Sequence, residues 1–333
     1  MGRYHIAGNH LFPPKYSSDI VFIVFLFFAL FRFDVGFDYP SYYSAIYPNP
    51  DFFEINRWEL IPRHLGLLCV RLEQPQLFFI LMGVPTYWLI YSTIKKYSLS
   101  IYESFMIFFC IFFLDTTSTL RSSLAVAISF WGIKFIKNKE LTKYLLLIFI
   151  TFFIHKSVII ALPLYFFYNY IDYRISICIC ILLVILKNIF LQTIATLNFY
   201  VGYLQRLDTL AGGNLIKYFN IILVFFLLLF AILFKNINKA KRYFSIIFFG
   251  LTYPFIFGNH LGTRLAIYST IYICLLWPVV MKNRNCNFRA LCLFPIYYYF
   301  VLLLDYSVKN PTRSAYIPYK LIFFADTTIF RFK

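Results

Sequence analysis

Arg121 heads an apolar stretch, "TSTLRSSLAVAISF" (117–130), with Ser122 and Ser123 beside it. A guanidinium there has two readings. It can snorkel to lipid headgroups. Or it can meet an anion, helped by the positive end of the helix it opens and by Thr116, Thr117 and Ser118 as caps. Arg206 and Arg264 are further arginines bordered by apolar runs. Three such groups could clamp one pyrophosphate, since charge-assisted hydrogen bonds are stronger than neutral ones. His155, in "FFIHKS" (152–157), carries an imidazole able to take a proton from a sugar hydroxyl. Asp34 and Asp38 lie among Tyr39, Tyr42, Tyr43 and Tyr47, and His260 stands four residues before Arg264. Carboxylates bind hydroxyl pairs or act as a base, and tyrosine faces stack on sugar rings. The plainer alternatives are a structural histidine at a helix end and a solvated loop with interfacial tyrosines.

The elements that must position these groups are set by composition. The chain has 333 residues, of which 61% are hydrophobic and 14% charged, and its mean hydropathy is +0.72. Soluble domains carry nearer a quarter charged residues. Apolar runs recur from end to end, which predicts an all-α polytopic integral membrane protein. The runs are 20–33, 75–94, 101–115, 117–136, 142–154, 157–171, 174–192, 217–234, 243–258, 264–281 and 290–307. They predict about eleven crossings, within a range of 10 to 12. The stretch 144–170 reads either as two short helices or as one long helix with His155 and Lys156 near its middle. No small-residue cleavage site follows Ile20–Phe31, so that run is expected to stay as an anchor. One transmembrane domain over 1–333 is expected.

The net charge of +17 would suggest nucleic acid in a soluble protein. Here lysine and arginine gather in short loops, "IKKYS" (94–98), "KFIKNKELTK" (134–143), "KNINKAKR" (235–242) and "KNRNCNFR" (282–289). With these spans all four fall on one side, which the positive-inside rule makes cytoplasmic. Anionic lipid, not nucleic acid, is the expected partner of that charge. The opposite side receives the loop 34–74, Asp115–Arg121, His155–Lys156, the loop 193–216, "GNHLGTR" (258–264) and the tail 308–333. Every candidate residue above therefore shares one face. Trp58–Leu72 is amphipathic and too short to cross, so it is expected to lie in the interface, capped by Trp58.

Motifs for other chemistries do not occur. The chain has no P-loop, HExxH, GxSxG or DxD, so no metal site and no cofactor is expected. Its seven cysteines form no CxxC pair and read as buried small hydrophobes. Transport would favour charges at the midplane and inverted repeats. Here the polar groups gather at one face.

"VGFDYPSYYSAI" (35–46), "RSSLAVAISFWGIKFIKNKELTKYLLLIFITFFIHKSVIIALPLYFF" (121–167) and "NHLGTRLAIY" (259–268) resemble the EpsG family of exopolysaccharide proteins. That family is grouped with the Wzy-type O-antigen and capsule repeat-unit polymerases. The central block is the most specific: an arginine, small residues, a lysine-rich turn, then Phe-His-Lys-Ser. Gly36, Asp38 and Tyr39 add to it, and "IPYKLIFF" (317–324) fits more loosely. Where the family often has Arg-Gln, this chain has Arg121-Ser122, so the arginine is what carries over.

The resemblance implies a GT-C-like helical architecture and a metal-independent glycosyltransferase of the bacterial inner membrane, working at its periplasmic face in lipopolysaccharide, capsule or exopolysaccharide synthesis. Its substrate would be undecaprenyl-pyrophosphate-linked oligosaccharide, with membrane lipids and a chain-length regulator as partners. Arg121, Arg206 and Arg264 would bind the pyrophosphate leaving group. Asp38 or His155 would act as general base, and Asp34, Tyr39, Tyr42, Tyr43 and His260 would contact glycan. The rival readings are an O-antigen ligase, a flippase or transporter of lipid-linked sugar, and a membrane O-acyltransferase.

Overall fold

A computed structural model describes residues 17–189, 238–282, 297–298 and 319–324. It is largely helical. Helix α1 (Ser17–Leu30) is apolar and leads into a two-residue strand, β1 (Arg32–Phe33). The segment 34–59, read as a loop, contains two short helices, α2 (Tyr39–Ile46) and α3 (Phe52–Asn56). The carboxylate of Asp51 caps α3 by accepting from Glu54 N at 3.0 Å. Helix α4 (Leu60–Arg71) is the short amphipathic element expected there. Trp58 does not cap it in an interface, however. Its indole is buried against Tyr42 and Phe78, so close to α4 that a Cβ on Gly66 would lie 2.7 Å from it.

Helix α5 (Pro75–Tyr97) has 23 residues and so extends about 34 Å, enough to cross a hydrocarbon core of about 30 Å. The second long helix runs Ile101–Ser118. It comprises α6 (Ile101–Ile107), a π-helical turn (Phe108–Phe112) and α7 (Phe113–Ser118). Two helices among the described residues are long and apolar enough to span, or three if a bent pair counts as one.

Several apolar runs are interrupted. The run 117–136 breaks at Thr119 (φ −110°, ψ 65°) and at Gly132, giving α8 (Leu120–Trp131) and α9 (Ile133–Lys137). Between 144 and 170 the structure chooses the broken alternative. Helix α10 (Leu141–Phe152) stops, His155 is extended (φ −158°, ψ 123°), and a 3₁₀ turn (Lys156–Ala161) leads through Pro163 into α11 (Leu164–Asn169). Helix α12 (Tyr173–Ile185) follows, capped by Asp172. The run 217–234 lies outside the described residues.

Helices α13 (Asn238–Leu251) and α14 (Tyr253–Thr270) pack against one another. Gly258 (φ 75°, ψ 168°) breaks α14, and the chain doubles back. A Cβ on Gly262 would sit 2.4 Å from Cα of Pro254, a distance only a glycine tolerates. The piece Leu261–Thr270 meets α15 (Ile273–Lys282) at a bend of 50°. Near the C-terminus, β2 (Lys320–Leu321) pairs antiparallel with β1, Arg32 opposite Leu321. This two-strand ladder is an exception to the all-α expectation.

Of the described cysteines, Cys69, Cys110, Cys180 and Cys274 are buried thiols and Cys178 is exposed. Helix α5 packs against α8 and α8 against α10, with Tyr39 bonded to Gln76 of α5, Tyr42 to Arg121 of α8, and Glu59 to both Arg121 and His155. The amino ends of α5 and α8 and the carboxyl end of α10 therefore gather at one end. The lysines of 95–96 and 134–143 gather at the other.

Candidate functional site

At the first end, α8 starts immediately after the break at Thr119. The expected caps do not serve it. Thr116 and Thr117 donate back to Phe113 O and Leu114 O of α7, at 2.8 and 2.7 Å. Ser118 Oγ instead accepts from Phe37 N at 3.1 Å, tying the segment after β1 to this break. Gly36 allows that approach. Its φ is 105°, and a Cβ there would lie 3.0 Å from Cα of Ser118.

Arg121 projects from the first turn of α8 and is enclosed. Its guanidinium donates through Nη1 to Glu59 Oε2 at 2.8 Å and through Nε to the Tyr42 hydroxyl at 3.4 Å. The Tyr42 and Trp58 ring centroids lie 5.7 and 5.5 Å away. Its side chain is 20% exposed. Of its two readings, free snorkelling fits this geometry poorly, because carboxylate and rings fix the head group.

Glu59 is the residue that sequence reasoning missed. It precedes α4, and its side chain is 10% exposed. While Oε2 takes Arg121, Oε1 accepts from His155 Nδ1 at 2.8 Å and from Lys156 N at 3.4 Å. A backbone bond from Ile61 N to Phe153 O, 3.0 Å, holds the start of α4 against the end of α10. Burial works against charge on Glu59, but the His155 hydrogen bond, His155 and Arg121 outweigh it. They lower its pKa from 4.5 to about 2. With Nδ1 engaged, the Nε2 of a neutral His155 ring is the proton acceptor.

Asp38 stands at the amino end of α2, where its side chain makes no capping bond. Its Oδ1 accepts from Arg264 Nη2 of α14 at 3.4 Å, and both side chains are about one-third exposed (29% and 35%). Ser157 and Tyr268 share a hydroxyl hydrogen bond of 2.9 Å, which ties α14 to the turn after His155. The Tyr42 hydroxyl lies within electrostatic reach of Arg121, Asp38 and Arg264. Arg121, Asp38 and Arg264 thus lie about one tyrosine, and Glu59 and His155 join them through Arg121.

Other candidates sit differently. Asp34 (φ 50°), Tyr39 and Tyr43 are buried. Tyr39 donates to Gln76 Oε1 at 3.0 Å and stacks on Phe79, and Tyr43 packs on Tyr39 and Phe33. Packing covers these rings with protein. Arg32, also unforeseen, is fully buried. It donates to Val35 O at 3.3 Å, to Thr117 O at 2.8 Å and to Ala29 O, and lies over Phe79. Arg206 and the side chain of His260 lie outside the described residues. Among the described residues, no three His, Cys, Asp or Glu side chains converge as a metal site needs.

No curated protein and no solved structure matches the chain. A family model described as "EpsG family" matches residues 16–321. That match runs from α1 through β2 and includes every residue of the cluster around Tyr42. On that match, this helical protein with membrane-length apolar segments belongs to the EpsG family.

Proposed function

We propose that this chain polymerises oligosaccharide repeat units carried on undecaprenyl pyrophosphate. It does so at the periplasmic face of the bacterial inner membrane, in a chain of about eleven crossings. One observation carries the reading: the Arg121–Glu59–His155 chain of charges and hydrogen bonds beside the Asp38–Arg264 pair, at one end of the bundle.

In this reaction the acceptor hydroxyl oxygen attacks C1 of the growing glycan. The C1–O bond to pyrophosphate breaks, its electron pair leaves on the pyrophosphate oxygen, and the hydroxyl proton goes to a base. Arg121 and Arg264, with Arg206, meet the charge that develops on the leaving oxygen, the kind of electrostatic contribution that is usually largest. His155 suits the base, since Glu59 holds Nδ1 and leaves Nε2 to take the proton. Asp38 is the second choice, because Arg264 already shares its carboxylate. Tyr42, expected to contact glycan, here positions Arg121, and the carboxylate of Asp38 can also bind sugar hydroxyls.

The test is electrophoresis of the glycan from cells carrying Arg121→Ala. The expected pattern is loss of the long-chain ladder with single repeats retained, at unchanged protein level. A normal ladder would overturn the assignment.

A further inference from the structure

Both guanidiniums described at the proposed site are already met by carboxylates. Arg121 Nη1 donates to Glu59 Oε2 at 2.8 Å, and Arg264 Nη2 donates to Asp38 Oδ1 at 3.4 Å. Arg121, Asp38 and Arg264 all lie within electrostatic reach of the Tyr42 hydroxyl, so the two pairs are neighbours. Two guanidiniums against two carboxylates give these pairs no net charge, and a neutral set has little field to draw a pyrophosphate. An anion that binds here must therefore take the arginines away from the acids.

The acids are placed to let them go. Removing one partner of an ion pair is costly chiefly because it strands the other charge. Glu59 is not stranded: its Oε1 accepts from His155 Nδ1 at 2.8 Å and from Lys156 N at 3.4 Å, whatever Oε2 does. Asp38 occupies the cap position of α2, yet its side chain makes no capping bond there. The amide of Ser41, in the first turn of α2, is the kind of donor that a capping carboxylate takes. Both arginines also keep part of their surface open.

We propose that Glu59 and Asp38 hold the place of pyrophosphate between turnovers, and that the lipid-linked substrate takes Arg121 and Arg264 from them in a two-for-two exchange. This rests on the reading of those arginines as pyrophosphate ligands and adds what they do before substrate arrives. A diphosphate answers both guanidiniums, and once one phosphoryl group is bound the second exchange is intramolecular. A single phosphate displaces one acid at a time, without that help. The acids thus keep stray phosphates from lodging on the arginines while a pyrophosphate-linked substrate still enters.

The experiment is calorimetric titration of the purified full-length protein in neutral detergent, with inorganic pyrophosphate and, separately, inorganic phosphate. The wild type should bind pyrophosphate more tightly than phosphate, and Arg121→Ala should lose that binding. Glu59→Gln should bind pyrophosphate tighter by on the order of tenfold, and Asp38→Asn by less, since its pair is longer and more exposed. The sign decides, because a Glu59 that only held Arg121 in place would give weaker binding when replaced. The control Glu54→Gln, whose partner is the adjacent, exposed Arg57, should bind as the wild type does. If Glu59→Gln yields no folded protein, Asp38→Asn carries the same test. Unchanged or weaker pyrophosphate binding in either variant that folds, or equal tightening in Glu54→Gln, would overturn the exchange and leave the pyrophosphate reading standing. No binding in any of these proteins, or binding that Arg121→Ala retains, would overturn the pyrophosphate reading itself.

Discussion

Glu59 shows how a single carboxylate can set two functional groups at once. It lies 62 positions from Arg121 and 96 from His155, so no local spacing exposes it. Side-of-membrane reasoning reached Arg121, His155, Asp38 and Arg264 because each follows or precedes an apolar run. Glu59 instead borders the amphipathic segment, where an acidic residue reads as surface. The available signal was its sequence position between Trp58 and α4, on the same side as the arginines. Glu59→Gln keeps shape and removes charge, so Arg121 and His155 should lose their common anchor. Chain growth is expected to slow on the order of a hundredfold, at unchanged protein level, read from the glycan ladder; an unchanged ladder would separate Glu59 from the site. The same carboxylate has a pH signature. Its folded pKa of about 2 lies below the ordinary 4.5. Its stabilisation is therefore complete above pH 4.5 and is lost as pH falls toward 2, by about 3 kcal/mol in all. Acid unfolding of wild type should be steeper over that window than that of Glu59→Gln.

At the scale of elements, hydropathy located the helices and missed where they break. The run 117–136 is continuous in apolarity, so nothing in its pattern marks Thr119 or Gly132, whereas the polar pair His155–Lys156 left the break between 142–154 and 157–171 as one of two readings. The two main breaks have different surroundings: hydroxyls of α7 bond back locally to their own helix before Thr119, and the long-range bond from Ile61 N to Phe153 O stands just before His155. They matter because a break frees the backbone to aim a side chain sideways, and both Arg121 and His155 stand beside one. Gly36 is the element-level counterpart. Gly36→Ala must hold φ near 105° with its Cβ pressed on Ser118, a strain of about 1–3 kcal/mol. The expected outcome is a lower Tm and a shorter glycan ladder from displacement of Asp38, measured on the same membranes.

Across the whole molecule, the two ends differ in chemistry. One end carries the mixed-charge cluster around Tyr42, and the other carries lysines with aromatic partners such as Trp131, whose ring centroid lies 3.0 Å from Lys134 Nζ. Positive-inside orientation would turn the first end outward. Phe53, three-quarters exposed on α3, and Lys139, in the basic turn, report on it. Phe53→Cys should react with a membrane-impermeant maleimide in intact cells, above the wild-type background. Lys139→Cys should react only after the cytoplasm is opened. The reverse pattern would invert the topology and place the polymerase chemistry on the wrong side.

The ladder between Arg32–Phe33 and Lys320–Leu321 has a consequence in time as well as in space. A chain enters the membrane from its amino end. The strand beside Asp34 is therefore made early and waits for a partner made long after it. Ile322 N donates to Phe31 O at 2.8 Å and Tyr319 hydroxyl to Phe28 O at 2.8 Å, so the late segment locks the end of α1 as well. The segment bearing Asp38 and Tyr42 begins directly after this joint. The clasp on the end of α1 thus closes only after Ile322 has been made, and a ribosome that stops before it leaves the clasp open.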